Sequence, residues 1–138
     1  MSTSLWLRPP PDTPLANALQ ALITSTIPSL FPFAATHNFI PHITLTSGLP
    51  QETQLPGNPR AYLAYLGLPP CPDKITIQSA EAGDPFFKKL TIRIEQSDEL
   101  AKLAEVCRAN GVLIGDGQAQ SKAKEWVDRE YKPHLSLM

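Results

Sequence analysis

Three observations predict an α+β fold in which antiparallel strands are flanked by helices. Two segments, one from Thr13 and one from Ser97, open on a capping side chain and continue with apolar residues at helical spacing. Between and around them, short stretches alternate apolar and polar residues as half-buried strands do. Finally, Pro41-His42-Ile43-Thr44-Leu45 recurs near the far end as Pro133-His134-Leu135-Ser136-Leu137. A second match to that pattern is expected by chance on the order of one time in a thousand for a chain of this length.

Leu5 and Leu7 alternate with Trp6 in a first strand that Pro9-Pro10-Pro11 ends. Thr13 then caps a helix with Pro14 at its first position, and Leu15, Ala18, Leu19 and Leu22 recur along one face until Pro28 stops the pattern. The first motif strand is expected from Phe39 to Thr46, ending at Ser47-Gly48. Residues 49 to 72 read as a proline-containing surface connection, interrupted by a short helix at Arg60 to Leu66. Lys74 to Ser79 and Phe86 to Glu95 read as a hairpin around the turn signal Gly83-Asp84-Pro85.

Ser97 caps a helix to about Asn110, with Asp98 and Glu99 in its first turn, Leu100, Leu103, Ala104 and Cys107 on one face, and Asn110-Gly111 closing it. Val112 to Ile114 is a short apolar stretch, and Gly115 to Lys124 reads as a small, polar, solvent-exposed loop. The second motif follows as the last strand.

Strand geometry gives the repeat its chemistry. Residues i and i+2 share a face, so His42 and Thr44 look one way while Ile43 and Leu45 turn toward a core. His134 and Ser136 repeat the arrangement against Leu135 and Leu137. An imidazole with an ordinary pKa of roughly 6.5 exists in both protonation states near neutrality, so two of them across a cleft can serve as general base and general acid. The hydroxyls are neutral donors suited to phosphate oxygens. Such a set cleaves a phosphodiester by in-line attack of water and calls for no metal or other cofactor.

At His42-Ile43-Thr44 and His134-Leu135-Ser136 the sequence resembles the 2H phosphoesterase superfamily, named for two histidines in paired His-x-Thr/Ser motifs. More narrowly it is similar to the fungal and plant 2',3'-cyclic-nucleotide 3'-phosphodiesterase branch. Ser4-Leu5-Trp6-Leu7, Phe39 through Thr46, Phe86-Phe87-Lys88-Lys89-Leu90 and Tyr131 through Leu137 carry that likeness. The resemblance implies two pseudo-symmetric lobes, each an antiparallel sheet backed by helices, with a histidine groove between them. It implies hydrolysis of a nucleoside 2',3'-cyclic phosphate to the 2'-phosphate, or of ADP-ribose 1'',2''-cyclic phosphate, a by-product of tRNA splicing, to the 1''-phosphate. By analogy His134 is the base and His42 the acid, although the two motifs are locally equivalent and do not assign the roles themselves. Thr44 and Ser136 are the phosphate-binding residues the resemblance implies.

The chain stops at Met138, directly after the second motif, whereas family members continue for several further elements. The resemblance therefore implies that this single domain, residues 1 to 138, lacks part of one lobe. That departure supports two rivals: a catalytically weak module that binds nucleotides or RNA ends, and a dimer whose partners complete each other's sheet. A monomer acting on a small molecule is the first expectation.

Bulk properties agree with a small anionic substrate. Twelve basic residues stand against 13 acidic ones, a balance that argues against non-specific binding to long nucleic acid. Cys71 and Cys107 lack the close spacing of a redox pair or zinc site and are expected to be free thiols. No signal peptide and no membrane span is readable, so the expected location is cytoplasmic, with Golgi association the alternative that fungal relatives suggest.

The remaining side chains have ordinary readings beside functional ones. His37 sits in a loop-like context and lacks the companions of a zinc site. Lys88 and Lys89 are adjacent, so at most one can face a substrate phosphate, and solvated strand lysines are the default. Tyr131, three residues before His134, either contacts substrate or packs at the strand entrance, and the sequence weighs the two equally. Trp6 is expected to pack, with the groove as the alternative.

Overall fold

Proline and capping chemistry place the first elements. In the computed structural model, which describes residues 3–32, 39–50, 59–82 and 90–138, β1 (Thr3–Leu7) ends before the three prolines. Helix α1 (Pro14–Ala21) starts where Thr13 Oγ1 accepts from the Ala16 amide at 3.3 Å, with Pro14 in its first turn. Pro28 does not stop this helix as expected. The chain passes through a π-helical turn (Leu22–Thr26), in which the Ile27 amide reaches back to the Leu22 carbonyl, and continues as α2 (Ile27–Leu30). The wider turn accommodates the proline, which lacks the amide of a regular ladder and would crowd the carbonyl four residues back.

The first motif strand, β2 (Ile43–Leu49), begins later than expected and runs through Ser47 and Gly48, the glycine at φ +81°. Pro41 cannot donate to a ladder, and the His42 ring bonds locally, so pairing starts only at Ile43. Helix α3 (Pro59–Leu66) matches the short helix expected there. The hairpin is present as β3 (Ile77–Ala82) and β4 (Leu90–Ile94), but β3 starts three residues after Lys74 and the register shifts between Ile77 and Ser79. Its expected turn at Gly83-Asp84-Pro85 lies outside the described residues.

Helix α4 (Asp98–Gly111) has the expected cap, Ser97 Oγ accepting from the Leu100 amide at 3.2 Å. Helix α5 (Ala119–Arg129) corrects the loop reading of Gly115 to Lys124. Asp116 Oδ1 accepts from the Gln118 amide at 2.8 Å and its other oxygen meets Lys122 Nζ at 2.7 Å, fixing the helix entry. Ala123 and Val127, one turn apart, supply the buried stripe. Strand β5 (His134–Ser136) ends the described fold.

The strands hydrogen-bond in the order β1-β2-β5-β4-β3. The β2–β5, β5–β4 and β4–β3 pairs are antiparallel. The resemblance implies a sheet in each of two lobes; the described strands ladder into one, with β2 directly on β5.

Two compact units share the chain. One comprises Met1–Trp6, Thr44–Ile75 and Gln96–Lys132. Within it Leu49, Tyr62 and Leu66 form a buried cluster with Leu5, Leu68 and Val112 against them, and Ala104, Val127 and Tyr131 form another with Ala101 and Trp126. Gly111 permits the first cluster to close, because a Cβ there would stand 2.9 Å from Leu49 Cδ2. Asn110 Nδ2 donates to the Leu66 carbonyl at 2.7 Å, satisfying the end of α3. Arg108 lies 4.6 Å over the Trp126 ring and reaches Thr46 Oγ1 at 3.4 Å.

The other unit comprises Leu7–Ile43, Thr76–Glu95 and Pro133–Met138. Its buried apolar residues are Leu19, Ile23, Ile27, Ile43, Ile94, Leu135 and Leu137. Both histidine positions of the sequence repeat lie in this unit.

Candidate active site

The second motif alternates as its sequence requires: Leu135 and Leu137 are buried, His134 is exposed and Ser136 half-buried. Buried Pro133 accepts from the Ile94 amide at 3.0 Å, and the Leu137 amide donates to the Leu90 carbonyl at 2.8 Å, so β5 is held from β4 at both ends. These bonds present His134 and Ser136 on the face opposite the leucines.

The β2–β5 register pairs the residue after His42 with the residue after His134. Ile43 stands opposite Leu135, both buried, and His42 lies just before the paired part of β2.

The His42 ring is oriented by its own backbone. Its Nδ1 lies 2.6 Å from the Ile40 carbonyl oxygen. A carbonyl only accepts, so Nδ1 carries the proton in this bond. The loop that holds Ile40 is tied in turn to α1, since Gln20 Nε2 donates to the Phe39 carbonyl at 3.2 Å.

Thr44 is the first residue of the other unit, two places along β2 from His42 and half-buried. Its carbonyl accepts from Tyr131 Oη at 3.0 Å. Tyr131 is buried, tilted against Trp126 with ring centroids 5.2 Å apart, and burial pushes its phenol pKa up, with Cys107 adding to the effect. It is therefore a neutral donor to the backbone beside the first motif, packed as one of its two sequence readings has it.

Trp6 is 46% exposed, on an edge strand, and its Nε1 donates to Ser4 Oγ at 2.7 Å, so it does not pack into a core as expected. His37, Lys88 and Lys89 lie outside the described residues. Cys71 and Cys107 are free thiols, the first exposed and the second buried, with burial pushing Cys107 up to about 12. Among the described residues no group of three or more His, Cys, Asp or Glu side chains is arranged to hold a metal ion. No described helix is long and apolar enough to cross a membrane.

Sequence reasoning missed the polar residues that β4 and β3 add to the histidine face. Arg93 pairs with His134 and Thr91 with Ser136; one strand further, Ser79 pairs with Arg93 and Glu81 with Thr91. Directly paired residues share a face. Thr-x-Arg alternation in β4 was the available signal, but only the strand register shows which partner each residue meets.

Comparison with known proteins bears on this arrangement. The family model of the cyclic phosphodiesterase-like protein matches residues 1–138. The chain is 38% identical over 138 residues to the 2',3'-cyclic-nucleotide 3'-phosphodiesterase of Phaeosphaeria nodorum, covering 99% of this chain and 67% of that protein. It is 34% identical over 162 residues to the protein of that name from Yarrowia lipolytica, covering 100% and 73%. The namesake from Neurospora crassa is 30% identical over 148 residues, covering 99% and 69%. No solved structure matches the chain significantly. With a family model spanning every residue and these relatives aligned over nearly all of it, the chain belongs to the cyclic phosphodiesterase-like protein family, within the 2H phosphoesterases.

Proposed function

We propose that this protein hydrolyses nucleoside 2',3'-cyclic phosphates to nucleoside 2'-phosphates by acid–base catalysis between His42 and His134. The observation that carries the reading is the β2–β5 register, in which Ile43, the residue after His42, pairs with Leu135, the residue after His134. The relatives from Phaeosphaeria nodorum and Yarrowia lipolytica, both named 2',3'-cyclic-nucleotide 3'-phosphodiesterase, support the same substrate class.

In the proposed reaction His134 takes a proton from water as its oxygen bonds to phosphorus. The P–O3' bond breaks, and His42 delivers a proton from Nε2 to the departing 3'-oxygen. The bond from His42 Nδ1 to the Ile40 carbonyl holds the ring during the transfer. Ser136 and Thr44 donate hydroxyl hydrogen bonds to the non-bridging oxygens, which gather charge as the five-coordinate state forms. Tyr131 holds the backbone at Thr44. No step draws on a metal. The same ring opening extends to ADP-ribose 1'',2''-cyclic phosphate, which ties the protein to the by-products of tRNA splicing.

Incubating the purified protein with uridine 2',3'-cyclic phosphate, with and without a chelator, and identifying the product by phosphorus NMR tests the reading. Uridine 2'-phosphate formed at equal rates in both samples is the expected result. Formation of the 3'-phosphate, loss of activity with chelator, or no turnover at all would each contradict it.

A further inference from the structure

We propose that Arg93 binds the phosphoryl group of the substrate and that Glu81 occupies its guanidinium in the absence of substrate. The assignment deepens the cyclic phosphodiesterase reading and rests on it.

Position is the first argument. Arg93 on β4 is paired directly with His134 on β5. The flanking bonds, Ile94 amide to Pro133 carbonyl and Leu137 amide to Leu90 carbonyl, make this a non-hydrogen-bonded pair, the kind whose side chains come closest, with Cα atoms about 4.5 Å apart. An arginine side chain is longer than that separation. Its guanidinium therefore reaches the space in front of the imidazole without any backbone movement.

Charge is the second argument. The substrate is an anion throughout the reaction and its product carries a further charge, whereas Ser136 and Thr91 on this face are neutral donors. Arginine stays protonated at every working pH and offers parallel donors that match two phosphoryl oxygens.

The existing partner of Arg93 is the third. Its Nε lies 3.6 Å from Glu81 Oε1, with the two side chains 41% and 47% exposed. An ion pair so exposed contributes little to stability and is readily exchanged. Ser79 Oγ also donates to Glu81 Oε1, at 3.2 Å, so the carboxylate keeps a hydrogen bond when the guanidinium turns to phosphate. The alternative role, a cross-strand pair that only supports the β3–β4 hairpin, predicts no link to substrate.

The test compares wild type, Arg93→Gln, Arg93→Lys and Glu81→Gln by KM and kcat for uridine 2',3'-cyclic phosphate, and by Kd for uridine 2'-phosphate. Arg93→Gln is expected to raise both KM and Kd about tenfold or more, the size of a lost charged hydrogen bond. Arg93→Lys should recover part of that loss, and Glu81→Gln should tighten both constants. Unchanged KM and Kd in Arg93→Gln, with only the unfolding midpoint displaced, would overturn the assignment. If Arg93→Gln fails to fold, Glu81→Gln decides, and constants equal to wild type count against the proposal. A wild-type protein that binds the 2'-phosphate through Arg93 without turning over the cyclic nucleotide would sink the enzyme reading and leave this one standing. Turnover insensitive to Arg93 would do the reverse.

Discussion

Ile43 stands opposite Leu135 in the β2–β5 ladder, and each of these two buried residues directly follows one of the histidines 92 positions apart in sequence. Because side chains alternate at every residue, a slip of one position would turn one motif's histidine into the core and its leucines into solvent. The apolar residue between histidine and hydroxyl in each motif thus sets the register on which the proposed chemistry depends.

Rate should depend on pH as a bell, since one imidazole must be neutral and the other protonated in the same molecule. Both limbs belong to the pair and are not assignable to single residues. A profile of kcat/KM that climbs steadily into the alkaline range would speak for a single base.

Tyr131→Phe separates the two sequence readings of that residue. Removing the phenol leaves the Thr44 carbonyl without its 3.0 Å donor, a loss of about 0.5–1.5 kcal/mol for a part-buried hydrogen bond. Urea unfolding should show that loss, with KM for the cyclic nucleotide within about twofold of wild type, a change worth under 0.5 kcal/mol. A raised KM at unchanged stability would mean that Tyr131 touches substrate.

Cys107 is buried and its thiol is pushed up to about 12, first by burial and then by Cys71. Its folded pKa lies above the ordinary thiol value of about 8.5, so the neutral thiol's contribution is complete below about pH 8.5 and is lost as pH rises toward 12. A thiol reagent at pH 8 should accordingly modify only exposed Cys71 in the native chain and both cysteines after denaturation. Two equally fast native thiols would contradict the buried placement.

What the sequence made legible followed from strong local chemistry. Ser97 with Asp98 and Glu99 announced α4, Thr13-Pro14 announced α1, and a histidine with a hydroxyl two places on, written twice, marked the candidate site. Helix α5 was missed because its buried stripe is built on Ala123 and Val127, too small a signal among polar neighbours. The start of β2 was misplaced because Phe39 to His42 alternates like a strand while Pro41 and the His42–Ile40 bond keep it out of the ladder. Arg93 was invisible for another reason: its place beside His134 depends on strand pairing, which includes a register shift between Ile77 and Ser79 that no local pattern encodes.

The claim that two imidazoles share the proton transfers is tested most directly by the rates of His42→Ala, His134→Ala and the double variant on uridine 2',3'-cyclic phosphate, with folding checked by circular dichroism. Each single variant should lose a factor of about a hundred or more, as removal of a general acid or base does, and the double variant should lose little beyond the worse single one, because groups that act as a unit are not additive. Either histidine replaced in a well-folded chain with turnover near that of wild type would contradict the account.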